Sequence, residues 1–130
     1  VDHYLTGFYA DMFERFCGVL LARDCEPVIL VNALHQLPKY DNARVAYHTD
    51  TDVVTDAIAR EVDPTKPLGI DTVMRSGFLM PLMDRHAASE FFLGDFAVTA
   101  ARTYKDAAEQ ELMRASSAAN DAVMDDAIKL

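Results

Sequence analysis

The chain has 130 residues, the size of one domain, and its 51% hydrophobic content is enough for a single sizeable core. Its 21 acidic residues against 12 basic ones, a formal charge of −9, argue against a general nucleic-acid-binding surface, because phosphate backbones are held by clustered Lys and Arg and the basic residues here never form a run. The longest apolar stretch, Cys17 to Ala22, falls far short of the ~20 residues that cross a bilayer, so no membrane partner is expected.

In chain order, Tyr4-Leu5 is a brief apolar element stopped by Thr6-Gly7. Phe8, Met12, Phe16 and Val19 or Leu20 then recur at three- and four-residue steps, which predicts a helix over Phe8 to Ala22. Pro27-Val28-Ile29-Leu30-Val31 is a continuous β-branched run without polar alternation, as expected of a strand covered on both faces. Gln36 to Asn42 has the composition of a loop, and Arg44 to Tyr47 reads as a second strand. Val53, Val54, Ala57, Ile58 and Val62 mark a short helix ending before Pro64.

Ile70 to Met74 reads as a third strand and Phe78 to Met83 as a short helix with Pro81 in its first turn. From Asp95 to Leu130 there is neither Gly nor Pro, and the composition shifts to Ala, Glu, Asp, Lys and Met, which is helical material. A stripe that starts at Phe91 and Phe92 thins to alanine, with a break expected at Ser116-Ser117. Alternating strands and helices joined by short loops imply one α/β domain over residues 1–130. Its α/β core spans 2–84 with a three- to four-stranded, mostly parallel sheet flanked by helices, and a helical extension spans 85–130. An all-helical bundle is the alternative, since short apolar runs fit both periods.

The stretch His48-Thr49-Asp50-Thr51-Asp52 is the one constellation with catalytic potential. Carboxylates two residues apart after a parallel strand could hold Mg²⁺ or Mn²⁺ with His48, which would suit a metal-dependent hydrolase or transferase. The simpler account is that Thr49 or Asp50 caps the following helix, with Asp52 and Asp56 near the positive end of its dipole. That account is adopted here, with no cofactor and no catalytic residue.

Elsewhere the chain has no paired histidine ligands, no nucleophile elbow and no phosphate-binding glycine loop. Cys17 and Cys25 are read as reduced thiols in a reducing compartment, a disulfide being the alternative, and Cys17 sits in an apolar stripe where a thiolate is disfavoured. The apolar surplus after residue 90, with Phe91, Phe92 and Phe96 as interface candidates, points to a homodimer or a partner helix.

The order brief strand, Thr6-Gly7, helix, strand, loop, strand, helix, strand and aromatic-led helix resembles the BRCT-type interaction domain over residues 2–84. The resemblance implies a parallel sheet, a signature aromatic at Phe78, and a hydroxyl-and-amide half-pocket at Thr6 and Gly7. The chain departs from that pattern in having Arg23-Asp24 for a Gly-Gly turn, Phe78 for Trp, and the acidic Thr51-Asp52 where phosphopeptide-binding members carry Lys.

A small acidic α/β chain also resembles the accessory assembly and packaging proteins of double-stranded-RNA bacteriophage cores. That implies a dimeric, non-enzymatic component, cytoplasmic or inside a virion, which meets other proteins in a larger assembly. RNA would be met indirectly or through a basic tail beyond Val1 or Leu130; the start at Val1 leaves room for an absent terminus.

Overall fold

Strand β2, Val28–Asn32, is the spine of the fold, and every residue in it is buried. In the computed structural model, which describes residues 2–9 and 14–129, β2 is the middle strand of a three-stranded sheet. It pairs antiparallel with β1, Cys17–Leu20, and parallel with β3, Arg44–His48, so the sheet is mixed. A second, two-stranded parallel sheet joins β4, Pro67–Ile70, to β5, Glu90–Leu93. The helices are α1 (Asp2–Thr6), α2 (Val54–Ala59), α3 (Ser76–Asp84), α4 (Asp95–Thr103) and α5 (Ala107–Ile128). The chain is therefore α/β with helices at its C-terminal end. It divides into two compact units, Val1–Asp95 and Phe96–Leu130.

In the first unit, Leu30 of β2 packs with Ala57 and Ile58 of α2, Leu82 of α3 and Ala87, and Phe16, Ala46, Met74 and Phe91 close around them. The Phe16 and Phe78 rings meet edge to face at 5.2 Å, a geometry favoured by the ring quadrupoles. Phe78 is thus half-buried against Phe16, which itself packs on the core.

Several expectations are corrected by pairing across the chain. Tyr4-Leu5 lies in helix α1, and Thr6-Gly7 follows a helix; Gly7 takes the left-handed φ of 66° that releases the chain. The helix predicted over Phe8–Ala22 is replaced at its end by β1, while residues 10–13 lie outside the described residues. Cys17 to Leu20 satisfies either period, and the free edge of β2 decides for the strand. Gly18 leaves the space that the Phe16 ring occupies, since a Cβ there would meet that ring at 2.8 Å.

The third strand lies at Pro67–Ile70, earlier than predicted, because β5 sets its register and Asp71 then turns the chain by accepting the Val73 amide at 2.8 Å. Helix α3 starts at Ser76, so Pro81 falls in its second turn. Phe91 and Phe92 head no helix: strand alternation turns Phe91 toward the core and leaves Phe92 more exposed.

Helix α3 ends with the His86 amide on the Met83 carbonyl and the Ala87 amide on the Leu82 carbonyl. This is the Schellman arrangement, and it forces His86 to φ 51°, a position usually held by Gly. In the second unit, α5 runs unbroken through Ser116-Ser117, and the break falls at residues 104–106 instead. The reason is a capping box: Asp106 accepts the Glu109 amide at 2.8 Å while Glu109 accepts the Asp106 amide at 2.9 Å.

The two parallel strands β4 and β5 come together through Gly69 and Gly94. A Cβ on Gly94 would stand 2.9 Å from the Gly69 Cα, and one on Gly69 would stand 3.0 Å from the Gly94 Cα. Gly94→Ala is expected to cost about 1–3 kcal/mol in urea denaturation through overpacking. His86→Gly is expected to gain roughly 0.5 kcal/mol in the same measurement, strain relief outweighing the added freedom of the unfolded chain.

Candidate functional site

The carboxyl ends of parallel strands are where α/β folds concentrate polar groups, and here that position is occupied by Asn32 at the end of β2 and His48 at the end of β3, partners in the register. Both are essentially enclosed, at 1% and 2% exposure. Burial obliges such groups to find partners. Asn32 donates Nδ2 to Asp50 Oδ1 at 2.8 Å and accepts the Leu34 amide on Oδ1 at 3.0 Å. His48 Nε2 meets the Phe16 carbonyl at 2.9 Å. A carbonyl only accepts, so Nε2 carries the proton, and the buried Nδ1 is left without a hydrogen-bond partner.

Arg15 closes the cluster from the segment before β1. Its Nε donates to Asp50 Oδ1 at 2.9 Å and its Nη2 to Asp50 Oδ2 at 2.7 Å. This two-point contact is the geometry that a planar guanidinium offers a carboxylate. It holds the Asp50 carboxyl below the usual carboxylate range, with Asn32 adding to the effect, and raises the Arg15 guanidinium. Asp52 turns back within its own loop, accepting the Thr49 amide at 2.6 Å and the Thr49 hydroxyl at 2.8 Å, and those bonds lower its carboxyl in the same direction.

The helix-capping account is therefore corrected. The residue before α2 is Val53, which makes no side-chain cap; Thr49, Asp50 and Asp52 tie the loop together instead. Asp56 does sit in the first turn of α2, where it forms an ion pair with Arg85. The helix start is displaced because Asp50 is drawn toward Arg15 and Asn32, contacts across 35 and 18 residues that no local pattern announces.

His48, Asp50 and Asp52 lie along one turn, but their polar atoms are directed to different partners. Among the described residues no group of three or more His, Cys, Asp or Glu is placed to hold a metal ion. Asp50 has both oxygens engaged and His48 Nε2 serves a backbone carbonyl. These contacts fasten the segment entering β1 to the ends of β2 and β3.

The remaining sequence candidates are dispersed. Thr6 accepts the Phe8 amide on its hydroxyl at 3.1 Å, and its carbonyl accepts the Tyr40 hydroxyl at 3.0 Å. Phe91 packs against the core, whereas Phe96 on α4 is 66% exposed. Cys17 is half-buried in β1 and Cys25 is exposed, and neither is bonded in a disulfide. An open depression of about 420 Å³ beside Tyr47 is lined by Ala33, His35, Gln36 and Leu37. Among the described residues no helix is long and apolar enough to cross a membrane. No protein-family model matches the chain, and no curated protein sequence matches it.

Asp50 has a folded pKa below its unfolded value of about 3.9, so the stabilisation it lends is complete above that pH and is lost as pH falls through the folded value. Asp50→Asn is expected to flatten the fall in urea midpoint between pH 5 and pH 2 relative to the unsubstituted protein. His48→Ala should cost about 2–4 kcal/mol at neutral pH through its cavity and the carbonyl it leaves unmet.

Proposed function

We propose that the protein is a non-enzymatic interaction module that associates with a second copy of itself through α5 and serves the assembly of a larger particle. One observation carries this reading: α5 is a 22-residue helix that buries none of its residues, and on one face Leu112 and Val123 are 72% and 67% exposed. The capping box holds its first turn, and in proteins most of a helix's stability comes from packing of an apolar face. We read this exposed apolar side as a contact surface, since contiguous exposed apolar patches mark interaction sites.

The face is continuous along the helix. Ala108, Leu112, Ser116, Ala119, Val123 and Ala127 fall within one side at helical spacing, while Glu111, Arg114, Asp121 and Asp125 fall opposite. Small residues between the two larger ones permit close approach of another helix. The chemistry of the first unit supports the same reading, because its polar cluster is spent on holding strands together.

An interaction role is also what the BRCT-type resemblance implies. A double-stranded-RNA phage core protein would use it to assemble and package, meeting RNA indirectly. The metal-dependent hydrolase reading would require Asp50 to give up Arg15 and Asn32, which engage both of its oxygens.

Sedimentation velocity at micromolar concentration is expected to show monomer and dimer in exchange. Leu112→Asp combined with Val123→Asp should leave monomer alone, with helical circular dichroism retained. Millimolar Mg²⁺ or Mn²⁺ should leave the melting temperature unchanged; a rise abolished by Asp50→Asn with Asp52→Asn would replace this reading with the metal-dependent one, because a ligand of the native state must stabilise it.

A further inference from the structure

We draw no further inference here: the strongest candidate, the enclosed His48 Nδ1 at the carboxyl ends of β2 and β3, belongs to the polar cluster already described, and nothing in the structure shows what would meet it.

Discussion

The contact on which the first unit depends is the fastening of the Arg15-Phe16 segment to the ends of β2 and β3. Phe16 gives its carbonyl to His48 and its ring to Phe78, while Arg15 grips Asp50, which Asn32 holds in turn. These bonds place β1 against the free edge of β2 and so complete the three-stranded sheet. They also draw residues 49–52 away from α2, which is why that helix begins late and without a side-chain cap. Buried polar groups of this kind are effective only when nearly all are satisfied, and among the described residues only His48 Nδ1 is left over.

The second constraint is steric. Gly69 and Gly94 let β4 and β5 pass at a separation no side chain would tolerate, and α3 connects them between a turn at Asp71 and a left-handed exit at His86. Polar turn chemistry at Asp63, Asp71 and Asp95 recurs around this sheet; the Asp95 carboxylate takes both the Thr72 hydroxyl and the Thr72 amide, which hold its carboxyl below the usual carboxylate range. Several of the chain's carboxylates are thus in structural use, as acceptors for backbone amides and hydroxyls.

The surfaces divide the labour differently. In the first unit the polar groups close on one another, and in the second α5 presents an alternation of large and small apolar residues with nothing buried. Helix α5 is fastened at its start by the Asp106–Glu109 capping box and carries Leu112 and Val123 exposed along its length.

The spine strand, the helix before Pro64, and the helical C-terminal stretch were all legible in the residues, because unbroken β-branched runs, proline and glycine-free alanine-rich composition act locally. So was the capping potential of acidic residues, though it was read at Asp50 and is realised at Asp106, where Asp and Glu three positions apart were the visible signal. Two runs that fit both periods, Cys17–Leu20 and Phe91-Phe92, became strands only because an edge of β2 and an edge of β4 were there to pair with. The fate of His48, Asp50 and Asp52 likewise lay with the tertiary structure: a carboxylate beside a histidine is a ligand, a base or a tie depending on what reaches it, and here Arg15 and Asn32 reach Asp50 from distant parts of the chain.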